Sequence, residues 1–193
     1  MNNELLELWG KSFSQCLEGL PLTLSLTFVS LLIGGLLALP LSVIHSRRTT
    51  WQAKLVRLFT FFFTGTPLLV QLYIFYDGFG GLGWVQNLMT QDGFGFLRDA
   101  YFWVLLGLTL NTAAYSTIIF SGAINNTEYG EIEAGRAYGM SSFQVMRHIV
   151  LPSSLRRALP AYSNEVILML QATALASSFT LFEITGQAVR FNS

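Results

Sequence analysis

One carboxylate stands apart in this sequence. Glu165 lies in the run Pro160–Phe182, where no other residue is charged, and the next charge along the chain is Glu183. A carboxylate at that kind of position is costly and marks either function or a partner. It can hold a passing cation, or it can close a structural ion pair, for instance with Arg57 or Arg156. Other polar side chains interrupt the apolar runs. Thr64, Thr66 and Gln71 surround Pro67, which should kink the second run and free backbone groups, while Asn111, Thr112 and Gln171 fall in the middle of their runs. Such residues either contact a ligand or serve as hydrogen-bonding glue between helices. We expect Glu165, Asn111, Gln71 and Thr66 to line a path.

A second set of residues is patterned. Glu133, Ala134 and Gly135 are followed by Gly139, then by Ile149, Leu151 and Pro152. Glu128 to Tyr138 has helical spacing, and Gly139 breaks it. Ser141 with Gln144 three residues later forms a capping box, so a second helix starts there. Phe143, Val145, Met146, Ile149 and Val150 supply its apolar positions. Pro152 is expected to stop it, because the ring removes a donor and disfavours helix at Leu151. The product is a pair of short angled helices. Small residues at Ala134, Gly135 and Ala137 leave one face low enough for close approach by another protein.

Catalytic patterns are missing. No phosphate-cradling G-x-x-x-x-G-K-[ST] loop occurs. The lone Cys16 forms no internal disulfide, and His45 and His148 are far apart, so we expect neither a metal cluster nor any cofactor. A membrane enzyme would need His, Asp or a Ser/Lys pair inside the apolar runs, and none is there.

The elements that position these residues are apolar. Over 193 residues, 52% are apolar and 11% charged, against roughly 25% charged in a soluble domain. The net charge is zero, which argues against nucleic acid as a partner. Four uncharged or nearly uncharged runs emerge: Pro21–Ile44, Leu58–Tyr76, about Tyr101–Ile124 and Pro160–Phe182. Each suits a crossing of a hydrocarbon core about 30 Å thick. Backbone groups in lipid must be satisfied internally, so the spans are helices. Arg47, Arg48, Lys54, Arg57, Arg136, Arg147, Arg156 and Arg157 fall on one side, against Lys11, Arg98 and Arg190 on the other. The positive-inside rule then makes segment 125–159 cytoplasmic, and places the N-terminus and segment 77–100 outside.

Residues 1–20 form no cleavable signal, since a basic leading region is missing. Leu5, Leu6, Trp9, Phe13, Cys16, Leu17 and Leu20 make one apolar stripe. That helix lies on the bilayer surface or packs against the bundle. Segment 77–100 is rich in Gly and aromatics. It reads as a flexible turn at the membrane interface or as a contact surface for a soluble partner.

The 133–152 pattern resembles the coupling-loop signature of ABC import permeases: Glu-Ala-Ala, three residues, Gly, nine residues, Ile, one residue, Leu-Pro. Gly135 is the one departure. Phe63 to Gln71, Leu110 to Tyr115 and Tyr162 to Leu168 are similar to segments of polar amino acid permeases, including those of the histidine/lysine/arginine/ornithine and arginine importers. The resemblance covers about Pro21 to Phe182. It implies an all-α membrane bundle of five spans in the bacterial inner membrane, paired with a second permease, with a paralogue favoured over an identical copy. It further implies two ATPase subunits that bind ATP below and a periplasmic binding protein that delivers amino acid above. The chain itself is then a non-catalytic transport subunit, and Glu133, Ala134, Gly135, Gly139, Ile149, Leu151 and Pro152 couple it to the ATPase. Glu165 would pair with the side chain of a cationic amino acid. Only four spans are present, so residues 183–193 read as a periplasmic tail, and the fifth span is absent by truncation or in a natural short form. The alternatives are a permease for another small polar solute and a channel outside the ABC class. A channel would lack the docking pattern, and a secondary transporter would need two repeated halves.

Overall fold

The computed structural model describes residues 17–47, 50–179 and 181. The expected stripe up to Cys16 and the tail 183–193 lie outside the described residues. Every regular element among the described residues is helical.

Helix α1 (Leu20–Ser46) begins on Pro21, whose missing N–H costs nothing in a first turn. Its small polar residues need no partner helix. The hydroxyls of Thr23, Thr27 and Ser30 donate to carbonyls one turn back, at 2.6–3.1 Å. Helix α2 (Trp51–Gly65) starts on Thr50, whose hydroxyl accepts from Ala53 N. Helix α3 (Leu68–Tyr73) passes directly into a π-turn (Ile74–Phe79). Helix α4 (Gly83–Met89) and a 3₁₀ turn (Gly95–Arg98) occupy the segment expected as a turn. An aromatic chain from Phe94 through Phe96 and Phe102 to Trp103 orders it, and Trp103 Nε1 donates to Leu97 O at 2.9 Å.

Helix α5 (Ala100–Asn125) opens on an Asp99 cap and is the axis of the molecule. Of its most apolar stretch 67% is buried, against 28% for α1, so α5 is mostly enclosed while α1 keeps an outer apolar face. Gly34 allows the α1–α5 approach. A Cβ there would stand 2.8 Å from Thr112 Cγ2 and 2.9 Å from Thr109 O. Beyond α5 come α6 (Tyr129–Ala137), α7 (Ser142–Val145), a π-turn (Met146–Val150), α8 (Leu151–Ala172) and a closing 3₁₀ turn (Thr173–Phe179). One buried cluster joins Leu26, Leu72, Val104, Leu108, Met169 and Phe179; another joins Ile124, Val145 and Val150 near the docking loop.

Three expectations change. Two of the four expected spans, α1 and α5, are unbroken apolar helices long enough to cross a membrane. The second expected span does more than kink at Pro67: the chain turns by 108° between α2 and the α3–π segment. Thr66 is extended (φ −111°, ψ 147°), as a residue before proline must be. The fourth is the upper part of α8. Every 18-residue stretch of α8 contains Arg156, Arg157 and Glu165, which keeps it out of the same class. Finally, Pro152 does not stop the helix. Leu151 N donates to Met146 O, five residues back, and the π register carries the backbone past the proline into α8.

Candidate functional site

Two groups of residues were singled out by sequence, and they occupy opposite parts of the molecule. The first is the corner between α6 and α7. Gly139 has φ +77°, and its N–H donates to Arg136 O at 2.9 Å, while Met140 N donates to Gly135 O at 3.2 Å. That pair of bonds is a Schellman cap, in which a left-handed residue ends the helix. A Cβ on Gly139 would meet nothing within 4 Å, so backbone conformation, not space, selects glycine here. The capping box expected at Ser141 and Gln144 is present, with bonds of 3.3 and 2.8 Å.

The corner has an inside and an outside. Gly135 is buried, and a Cβ there would lie 2.5 Å from Ile149 Cδ1 and 3.2 Å from Val145 Cγ2. It therefore does not belong to the low outer face assigned to it with Ala134 and Ala137. Helical periodicity explains the correction: Glu131, Ile132 and Gly135 share one side of α6, and Ala134, Ala137 and Tyr138 share another. Ile149 and Leu151 also face inward, and Leu151 packs on the Ile124–Val145–Val150 cluster. Glu133, Ala134 and Pro152 are exposed. Around them stand Tyr138 at 88% exposure and Phe143 at 71%. Phe143 reads in the sequence only as an apolar helix position, yet it and Tyr138 stand outward at the corner.

The rear of the corner is clamped to α8. Arg157 pairs with Glu131 at 3.7 Å and donates to Ser153 Oγ at 2.6 Å and Thr127 Oγ1 at 2.8 Å. Ser153 Oγ donates to Glu131 Oε2 at 3.1 Å. This network escaped the sequence reading because its members are scattered over three elements.

The second group lies at the bend of the broken span. Gln71 is 1% exposed, and its Nε2 reaches Phe63 O at 2.8 Å, Thr66 O at 3.0 Å and Thr66 Oγ1 at 2.8 Å. Asn111 Nδ2 donates to Phe63 O and to Gln71 Oε1, both at 3.2 Å. Thr66 Oγ1 donates to Phe62 O at 2.8 Å. Thus Thr66, Gln71 and Asn111 come together, and they satisfy carbonyls that the 108° turn frees.

Glu165 stands apart from them. It is buried on α8 and has no ion-pair partner among the described residues. The Thr127–Ser154 hydroxyl pair and the Phe120–Tyr162 ring stack fix the antiparallel register of α5 and α8. On that register Glu165 comes level with Ser116. The hydroxyls of Ser116 and of Thr112, one turn away, are buried without hydrogen-bond partners.

The family model of the binding-protein-dependent transport system inner membrane component matches residues 20–191. The chain belongs to this family. A permease of the histidine/lysine/arginine/ornithine transport system from Escherichia coli K12 is 50% identical over 175 residues, 91% of this chain and 73% of that one. An octopine transport system permease from Rhizobium meliloti is 43% identical over 186 residues, 96% of this chain and 74% of that one. A crystal structure of an amino acid ABC transporter with histidines superposes with a TM-score of 0.80 at 29% identity, covering 95% of this chain and 80% of that chain. The chain is thus an ABC-type importer permease of all-α build. The family match contains both groups of residues: the outward corner of this permease and the polar bend held to the middle of α5.

Proposed function

We propose that this permease passes polar, cationic amino acids across the bacterial inner membrane, driven by separate ATPase subunits that grip the α6–α7 corner. The observation that carries the proposal is that corner: a helix pair capped by the Gly139 backbone bonds and the Ser141–Gln144 box, clamped from behind, with Glu133, Ala134, Tyr138 and Phe143 left outward. Exposed aromatics beside small residues suit anchoring in a partner's groove. Pro152 and the inward Ile149 and Leu151 hold the corner's shape. The chain itself supplies no hydrolytic group; ATP belongs to the partner.

Relatives named for histidine, lysine, arginine, ornithine and octopine transport support the substrate class. So does Glu165, a buried carboxylate without an ion-pair partner among the described residues, level with two unpartnered hydroxyls. In this reading Glu165 meets the cationic side chain. Thr66, Gln71 and Asn111 spend their hydrogen bonds on the bend and position the path. A second permease, a paralogue, faces this one, and a periplasmic binding protein delivers substrate at the 77–100 side. The N-terminus lies on that same side, and segment 125–159 is cytoplasmic.

The test is transport by the reconstituted complex with ATP hydrolysis measured alongside. Glu165→Gln is expected to depress uptake of arginine and lysine by about tenfold or more, with neutral amino acids little changed, as removal of a charge-assisted contact implies. Equal loss for both classes removes Glu165 from substrate recognition. Sidedness is read separately, by membrane-impermeant labelling of Glu133→Cys on a Cys16→Ser background. Labelling from the periplasm overturns the topology.

A further inference from the structure

A cavity of about 830 Å³ opens between the inner end of α1 and the α7–π segment. From α1 it takes Pro40, Val43, Ile44 and Arg47, which lie at helical spacing on one face. Its other wall carries Ser142, Phe143, Met146, Arg147 and Leu151. The lining is mostly apolar, Arg47 and Arg147 are its two charged residues, and no acidic side chain lines it.

We infer that this cavity seats one anionic phospholipid, with an acyl chain against Val43, Ile44 and Met146 and the phosphate between Arg47 and Arg147. The inference rests on the membrane-spanning, loop-inside reading proposed above. Depth supports it. A 27-residue α1 reaches about 40 Å, some 10 Å more than a hydrocarbon core. Pro40 and Arg47 are themselves about 10 Å apart along the axis. The apolar residues thus fall at acyl depth and Arg47 at headgroup depth.

The seat is built. Val43, Met146 and Leu151 pack on the buried Ile124–Val145–Val150 cluster. The backbone of Arg47 is held from both sides: its N–H donates to Ile44 O, and its carbonyl accepts from Arg57 Nη2 at 3.0 Å. The neighbouring cavity near Arg156 makes a useful contrast. It too has basic residues, but Glu131 lines it and pairs with Arg157, so its charge is partly spent. Basic pockets between helices at the cytoplasmic face attract anionic headgroups.

Native mass spectrometry of the full chain in detergent, titrated with phosphatidylglycerol or phosphatidylcholine, tests this. We expect retention of phosphatidylglycerol over phosphatidylcholine. The Arg47→Gln/Arg147→Gln double variant should lose that retention by roughly 25-fold, since each basic group near an anionic headgroup is worth roughly a fivefold factor. Arg156→Gln should leave it unchanged. Val43→Trp, which fills the cavity without touching charge, should also displace the lipid, and it decides alone if the double variant does not fold. Equal retention of the two lipids marks a seat for a protein segment or for any acyl chain and overturns the proposal. So does undiminished retention in the double variant or in Val43→Trp. The readout is indifferent to which side the loop faces, so its failure leaves the topology standing, and a failed labelling experiment leaves the lipid result standing.

Discussion

The α6–α7 corner and the bend after α2 are both broken helices, but they mend the break differently. At the corner, Gly139 lets the backbone cap itself, with Gly139 and Met140 donating to Arg136 and Gly135. The side chains of Ser141 and Gln144 cap only the helix that follows, so Glu133, Tyr138 and Phe143 stay available. At the bend, proline cannot donate, and the freed carbonyls face apolar surroundings instead of water. Three side chains are drawn in: Thr66, Gln71 and Asn111. Where water is near, a break can spare its side chains for a partner. Where it is absent, side chains must complete the backbone.

The largest test of that contrast is Gln71→Leu. It strips Thr66 O of its side-chain donor and leaves Phe63 O with Asn111 alone, and an orphaned buried acceptor costs about 1–3 kcal/mol. We expect a marked fall in thermal stability in detergent. A melting temperature equal to the parent's would mean the bend needs no splint. Next comes Gly139. Valine there must adopt a positive φ, at about 1–2 kcal/mol, whereas asparagine tolerates the left-handed region. Gly139→Val should impair stimulation of ATP hydrolysis by loaded binding protein, and Gly139→Asn should keep most of it. The opposite order would show that bulk or charge matters at the corner, not backbone conformation. The smallest effect is expected from Arg157→Gln. Its ion pair with Glu131 is about one third exposed, so stability should change by only about 0.5 kcal/mol, and less in high salt. A loss several times larger would mean the clamp, not the cap, holds the corner.

Much of this architecture is legible from residue type. The apolar runs give α1 and α5, the capping box gives the start of α7, and Gly139 and Pro67 mark both breaks. The rest depends on contacts between distant residues. Gly135 looks like part of a docking face until Ile149 is brought over it. Thr66, Gln71 and Asn111 read as a ligand path because a lone sequence does not reveal which carbonyls a 108° turn will free. Pro152 reads as a terminator because the rule against interior proline assumes α-helical register, and the π-turn before it changes that register. Glu165 is visible at once, since a charge in an apolar run needs no fold to stand out.

That π-turn also governs how force would travel. Because α7, Met146–Val150 and α8 follow one another without a loop, helical backbone runs from Ser142 to Ala172, about 45 Å at 1.5 Å per residue, with Pro152 and Pro160 as its positions without an N–H donor. A push on the capped corner therefore meets no loop before it reaches Glu165. The wider turn sets the rotational phase between the two ends of this rod, so inserting or deleting one residue there would swing the carboxylate by about 100° relative to the corner.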